Sequence, residues 1–321
     1  MGNVLIGLKA TAFTSEQMAR LHTLAGSRDV FITTDDAEHR MVIDSVEIAA
    51  ARIKRDIVIA APNVQWFQQW NAGVDWVQRY SQDNEIRFTL TNVSGIHAIP
   101  IAEHVFGYLL AFARSFPKAY RAQRARSWTR PVEETEIFEL AGKTMLLVGV
   151  GAIGSKIAEV AKAFGMQVIG VRNCPELRNR NVSRMVGPNE LLGVLPDADF
   201  VVVTAPGTRE TYHMFRANEF RAMKQTAYLV NIGRGKIIDH VALVRALREG
   251  WIYGAGLDVS EPEPLPMGSP LWDMENVIIT AHYAGNTPHY DERAIDLFLD
   301  NLERYVTGVE LRNVVDVKRG Y

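Results

Sequence analysis

Short apolar runs of strand length alternate with amphipathic stretches of helical length almost from end to end of the chain. A sequence that switches repeatedly between a period of two and a period of about 3.6 folds as an open parallel sheet with helices on its faces. Residues 4–8 form the first run, and Thr14-Ser15-Glu16-Gln17 has capping-box spacing ahead of a helix carrying Met18, Leu21 and Leu24. The β-branched runs at 30–33 and 57–60 predict strands, and 87–90 predicts another. Near Asn92 the texture changes. Residues 99–116, with Pro100 near the start, predict a long, mostly apolar helix, and 118–139 read as a charged arm containing Trp128 and Pro131. A second α/β series opens at 144–148 and continues through strands at 167–171, 200–203, 227–231, 252–257 and 277–280, with helices such as 152–164 and 239–249 between them. The last helix, 290–306, runs into Gly308, a residue suited to ending it.

At 321 residues the chain exceeds one ordinary core, so two domains are expected. A hydrophobic share of 47% with 22% charged residues excludes disorder and collagen. The single cysteine, Cys174, cannot form an internal disulfide and reads as a passive loop thiol in a reducing compartment, hence a cytoplasmic protein. Lys and Arg number 35 against 37 Asp and Glu, a balance that argues against a nucleic-acid partner. The basic stretch of Arg114, Lys118, Arg121, Arg124, Arg126 and Arg130 then reads as a solvated helix face or a subunit contact. The longest uncharged stretch, 57–74, is interrupted by Pro62 and by Gln and Asn, so no membrane span is expected. The N-terminus lacks the basic region of a leader peptide and reads as a first strand. His22, His39, His97, His104, His213, His240 and His289 show no paired metal-ligand spacing, so no metal is expected and they read as ordinary polar or capping residues.

Gly149-Val150-Gly151-Ala152-Ile153-Gly154 follows a predicted strand and opens a predicted helix. In that context the first glycine permits a tight turn, the second lets a pyrophosphate approach the backbone, and the third lets helix pack on strand. The helix N-terminus then presents amides to phosphate. The next strand ends in Arg172-Asn173, with no acid before Glu176 and with Arg178 and Arg180 close behind. An acid near this point would accept bonds from a ribose hydroxyl. Arg172 instead either attracts a 2′-phosphate or stacks on adenine, and the first reading predicts NADP(H) in preference to NAD(H).

Three later segments carry chemistry: Asn231-Ile232-Gly233-Arg234-Gly235, the run from Gly256 through Asp258 and Glu263 to Pro266, and Thr280-Ala281-His282-Tyr283-Ala284-Gly285. Together with the glycine turn, and with Asn71-Ala72-Gly73-Val74-Asp75 and the run from His97 to His104, this ordered set closely resembles the D-isomer-specific 2-hydroxyacid dehydrogenases over most of the chain. The resemblance implies two Rossmann-like, doubly wound α/β domains with an interdomain cleft that hinge motion closes. The substrate domain, flavodoxin-like, would comprise 1–100 plus 289–321, and the dinucleotide domain 101–288, with a dimerisation helix and arm at 101–140. It implies a homodimer that reduces a small 2-oxoacid, with glyoxylate and hydroxypyruvate as first candidates.

At matching positions the resemblance implies that Arg234 binds substrate carboxylate and carbonyl, that Glu263 pairs with His282, and that His282 is the acid/base. It also implies that Asp258 holds the nicotinamide carboxamide and that Ala72 and Gly73 offer backbone amides to the substrate carboxylate. The implied dinucleotide contacts are Gly149, Gly151, Ala152, Ile153, Gly154, Arg172, Asn173, Ala205, Pro206, Thr211, Ile232, Gly233, Arg234, Asp258, His282 and Gly285. The chemistry is consistent: a guanidinium fork suits a carboxylate, and a proton donor stabilises the charge left on oxygen when hydride reaches the carbonyl carbon. Imidazole is suited to that task near neutral pH. Each role residue follows a predicted strand, where open α/β sheets place their ligands. Ala281 stands where the family commonly has proline, and Tyr283 follows the histidine. Glu263 speaks against formate oxidation, whose enzymes carry Gln there, and the length leaves no room for the regulatory domain of many phosphoglycerate dehydrogenases. From another class, a dinucleotide-sensing, corepressor-like binding protein shares the fold and the triad.

Overall fold

The computed structural model describes residues 2–74, 76–77, 86–129 and 137–317. Asp75, Arg130 and Pro131, singled out above, lie outside the described residues. The strands run in chain order as β1 (Asn3–Gly7), β2 (Val30–Ile32), β3 (Val46–Ala51), β4 (Trp66–Gln69), β5 (Thr89–Thr91), β6 (Thr144–Val148), β7 (Gln167–Val171), β8 (Arg184–Val186), β9 (Phe200–Val203), β10 (Tyr228–Asn231), β11 (Gly254–Leu257) and β12 (Val277–Ile279). The helices are α1 (Ser15–Ala25), α2 (Asp36–Val42), α3 (Arg55–Ala60), α4 (Ala98–Ala113), α5 (Phe116–Arg124), α6 (Ala152–Ala163), α7 (Leu191–Val194), α8 (Ala217–Ala222), α9 (His240–Arg248) and α10 (Tyr290–Thr307). The chain divides into two compact units, one made of Met1–Ile96 with Thr287–Tyr321 and the other of His97–Asn286. The joints thus fall before 100 and before 289, because α4 packs along α6 and belongs whole to the second unit.

The first unit holds a parallel sheet in the order β2-β1-β3-β4-β5. This is the second of the two common doubly wound orders. α1 begins with the expected capping box between Thr14 and Gln17 and packs against α10, and α10 ends at Gly308 with φ 71°. The expected strand at 57–60 is instead the end of helix α3, and β3 and β4 take the sheet positions. β3 is rich in alanine, and β4 is half glutamine, so neither shows a β-branched run. Most polar groups of buried β4 find partners outside the strand, although Gln68 Nε2 is buried without one among the described residues. Trp66 Nε1 donates to Thr91 Oγ1 at 2.8 Å, Gln68 Oε1 accepts from Asn301 Nδ2 at 2.9 Å, and Gln69 Oε1 accepts from Trp76 Nε1 at 2.7 Å. Trp66 also stacks between Phe298 and Tyr305 of α10.

The second unit holds a parallel sheet in the order β12-β11-β10-β9-β6-β7-β8. Numbered within the unit this is the 3-2-1-4-5-6 dinucleotide-binding order with one strand added beyond the sixth. Alternation along β6 feeds both faces: Leu146 and Val148 enter one core, and Met145 and Leu147 enter the other, which α4 and α6 cover. The expected helix over 99–116 ends at Ala113, because Ser115 turns left-handed at φ 55° and Pro117 opens α5. No helix among the described residues is long and apolar enough to cross a membrane.

Candidate active site

The order of the second sheet reverses between β6 and β9, and the glycine turn leaves β6 at that crevice. Gly149 has φ 102°, and a side chain on it would lie 2.7 Å from the Ala205 amide nitrogen. A side chain on Gly154 would strike the Gly149 carbonyl, so this glycine is what lets α6 close on the turn. Gly151 faces open space, no side chain caps the first turn of α6, and no acid lies in it. A turn of that kind has the geometry to receive a phosphate at a helix N-terminus.

β7 delivers Arg172 beside this turn, with Nη1 donating to Leu177 O at 3.4 Å, and Asn173 follows, exposed. The segment beyond returns to α6 through Asn179 Nδ2, which donates to Ser155 Oγ at 2.9 Å. Between them lies a cleft of about 440 Å³ lined by Lys156 and Arg180 among others. β9 leads into Ala205 and Pro206, and Thr211 braces that loop by donating to the Pro206 carbonyl at 2.7 Å.

β10 leads into Ile232, Gly233 and Arg234. Asn231 shapes this exit: its Oδ1 accepts from the Gly233 amide at 3.1 Å, and its Nδ2 donates to the Arg234 carbonyl at 3.0 Å. Arg234 Nη1 donates to the Gly233 carbonyl at 2.8 Å, which holds the guanidinium near the strand end. Glu263 follows β11, and His282 follows β12. The His282 Nδ1 donates to Glu263 Oε1 at 2.5 Å, with both side chains about half exposed.

Asp258, 3% exposed, builds the turn that carries His282. Its carbonyl accepts from the His282 amide at 2.8 Å. Its carboxylate accepts from Thr280 Oγ1 at 2.5 Å and from the Tyr283 and Ala284 amides, each at 3.1 Å. His282 itself sits at φ 54°, and Gly285 packs under the His97 ring. Behind Thr280 stand two residues of α4, Tyr108, which no motif marks, and His104, expected from the sequence to be an ordinary polar or capping residue. Tyr108 Oη lies 2.5 Å from Thr280 Oγ1 and His104 Nε2 lies 3.0 Å from it. Burial pushes the Tyr108 phenol well above its ordinary range. Burial also lowers the His104 pKa, against the opposing pull of Asp258. His104 appears in the quoted run from 97 to 104, but its partners lie more than a hundred residues away.

Of the other histidines, His213 pairs with Glu261 at 3.2 Å and His289 with Glu292 at 2.9 Å, whereas His39 Nδ1 and His240 Nε2 are buried without a hydrogen-bond partner among the described residues. No group of three His, Cys, Asp or Glu side chains among the described residues is placed for a metal ion. Ala72 and Gly73 belong to the first unit, on the loop after β4. There the Ala72 carbonyl accepts from Asn92 at 3.0 Å and the Gly73 carbonyl from Gln69 at 2.9 Å.

Residues 106–284 match the family model described as D-isomer specific 2-hydroxyacid dehydrogenase, NAD binding domain. A glyoxylate reductase from Korarchaeum cryptofilum strain OPF8 is 33% identical over 275 residues, covering 84% of this chain and 82% of that protein. A D-isomer specific 2-hydroxyacid dehydrogenase family protein from Aeromonas salmonicida subsp. salmonicida A449 superposes with a TM-score of 0.82 at 32% identity, covering 99% of this chain and 100% of its own. An NADPH-dependent glyoxylate/hydroxypyruvate reductase from Sinorhizobium meliloti, solved with NADP and sulfate, superposes with a TM-score of 0.81 at 26% identity, covering 100% of each chain. With two doubly wound parallel sheets, a glycine turn at the switch point, and Arg234, Glu263 and His282 at successive strand ends, the chain belongs to the D-isomer-specific 2-hydroxyacid dehydrogenases, enzymes that act on CH–OH groups.

Proposed function

We propose that this protein reduces small 2-oxoacids, glyoxylate and hydroxypyruvate among them, to D-2-hydroxyacids, and that it prefers NADPH to NADH. The observation that carries the reading is the 2.5 Å contact between His282 and Glu263, held at a strand end two loops from Arg234. The first unit serves as the substrate domain and offers the backbone amides of Ala72 and Gly73 to the substrate carboxylate. The second unit holds the dinucleotide along Gly149, Gly151, Ala152, Ile153 and Gly154, with Ala205, Pro206, Thr211, Ile232, Gly233 and Gly285 lining its path. Bound NADPH supplies the hydride. Arg234 binds the carboxylate and faces the carbonyl oxygen as charge develops on it. Glu263 engages the Nδ1 side of the His282 ring, so the other ring nitrogen, Nε2, is the one that gives the proton to that oxygen. Asp258 fixes the His282 turn through its carbonyl and three carboxylate bonds, and its Oδ2 has acceptor capacity for the nicotinamide carboxamide.

The cofactor preference rests on Arg172, which follows β7 where an NAD enzyme places an acid, and on Arg180 at the neighbouring cleft, where Lys156 is already paired with Glu159 at 2.7 Å. The S. meliloti reductase with bound NADP supports it. A homodimer is part of the same reading: Phe116, Tyr120 and Trp128 are exposed at 58%, 60% and 96% on the segment after α4. So is a cytosolic location, on the single, exposed Cys174.

Steady-state oxidation of NADPH and of NADH with a panel of 2-oxoacids tests the proposal. A higher kcat/KM with NADPH is expected, reversed or abolished by Arg172→Asp. Equal values for both cofactors would remove the role given to Arg172. Dinucleotide binding without turnover of any 2-oxoacid would favour a dinucleotide-sensing binding protein instead.

A further inference from the structure

The first unit carries a cavity of about 560 Å³ at the C-terminal ends of β3 and β4. Its wall includes buried Phe67 and Ile53, and its rim carries Arg52, Lys54 and Arg55. β3 ends at Ala51 with φ 72°, a conformation that non-glycine residues seldom adopt, and the chain turns there directly into the cationic segment. Two of the rim cations are already matched. Arg52 bonds Asp291 at 2.7 Å, and Lys54 meets Asp36 at 2.5 Å. Among the described residues the one acid on the rim is Asp56, matched by Arg40 at 2.7 Å. Arg55 has no carboxylate partner among the described residues, and its guanidinium lies 4.9 Å from the Trp76 ring centroid. Counted over the described residues, the rim therefore carries a surplus of one positive charge, on a planar fork that an aromatic face orients.

The cavity adjoins the loop assigned above to the substrate carboxylate. Gln69 lines it and donates to the carbonyls of Asn71, which also lines it, and of Gly73, at 2.6 and 2.9 Å. We propose that this cavity takes a second carboxylate on the substrate, so that the enzyme favours short 2-oxodicarboxylates, with Arg55 as the specificity-determining residue. This rests on the reading of the Ala72–Gly73 loop given above. A single surplus charge matches a carboxylate, whereas a phosphate monoester carries about −1.5 to −2 at neutral pH and would be left under-neutralised. Glyoxylate and hydroxypyruvate are still accepted, because neither brings a group that the cavity repels.

The test compares oxaloacetate with 2-oxobutyrate, which has methyl in place of the distal carboxylate, and with phosphohydroxypyruvate, using the full chain and NADPH. The expected kcat/KM for oxaloacetate exceeds that for 2-oxobutyrate by about tenfold or more, a ratio that collapses in Arg55→Gln and partly returns in Arg55→Lys. No preference, or a preference that Arg55→Gln leaves intact, overturns the proposal, and so does a preference for phosphohydroxypyruvate. Calorimetric titration with malonate supplies an arm independent of turnover. Malonate binding that weakens in Arg55→Gln supports the site, and absence of malonate binding to the unaltered protein overturns it. Should no 2-oxoacid be reduced, the assigned reaction fails while the malonate titration still decides the cavity.

Discussion

His282 is positioned by its backbone as well as by its ring. Its left-handed φ of 54° is imposed by the Asp258 carbonyl, which holds its amide, while Glu263 holds Nδ1. Arg234 is fixed in the same way, by Asn231 bonding on both sides of it. In the sequence these residues were singled out by the family resemblance, and the structure places each after a strand, as expected. What Asp258 does was only partly legible: three of its carboxylate bonds go to protein donors beyond residue 279, and no spacing rule announces them. Arg234 yields the clearest prediction at this scale. Arg234→Lys keeps the charge and loses the fork, so KM should recover partly relative to Arg234→Ala while kcat stays low in both. NADPH affinity, measured by fluorescence titration, should stay nearly unchanged. Loss of NADPH binding with 2-oxoacid binding intact would leave Arg234 a cofactor residue only and remove its substrate role.

Among elements, α4 has a role beyond filling the core. Its Tyr108 and His104 reach Thr280, Thr280 reaches Asp258, and Asp258 holds the His282 turn. His104 has its pKa lowered by burial, so it binds protons less readily folded than unfolded. Stability is thus lost as pH falls below the ordinary histidine value of about 6.5, with the loss complete below the depressed folded value. His240 is lowered for the same reason and adds to the same slope. His104→Gln should therefore make the decline in Tm between about pH 7 and pH 5 shallower. An unchanged slope in thermal melts across that window would show that His104 does not titrate in this way. The elements hardest to read from sequence were β3 and β4. Local pattern marks β-branched runs, and 57–60 is such a run but turns out helical. Thr91 and Asn301 both donate to Gln68 Oε1, Trp76 donates to Gln69 Oε1, and Gln68 Nε2 stays buried without a partner among the described residues; none of this is written in the local pattern of the strand.

For the whole molecule, alternation of strand and helix was enough to read parallel sheet, while the division into two came from chain length and the family resemblance; the glycine turn marks where the second sheet changes direction. The first sheet's strand order could not be read locally, since it depends on which strands lie next to one another after crossovers. Assembly is the whole-molecule property open to direct measurement. The exposed Phe116, Tyr120 and Trp128 lead us to expect a homodimer, and light scattering at micromolar concentration should return twice the chain mass of 35.9 kDa. A monomeric mass would refute it.

The central claim is that His282 gives the proton that completes the alcohol. Steady-state reduction of glyoxylate by His282→Ala, alongside NADPH titration of the same variant, tests it most directly. The account predicts a fall in kcat of about 10²–10⁴-fold with cofactor binding retained. Near-normal turnover by a folded His282→Ala protein would contradict it and move the proton donor to another residue.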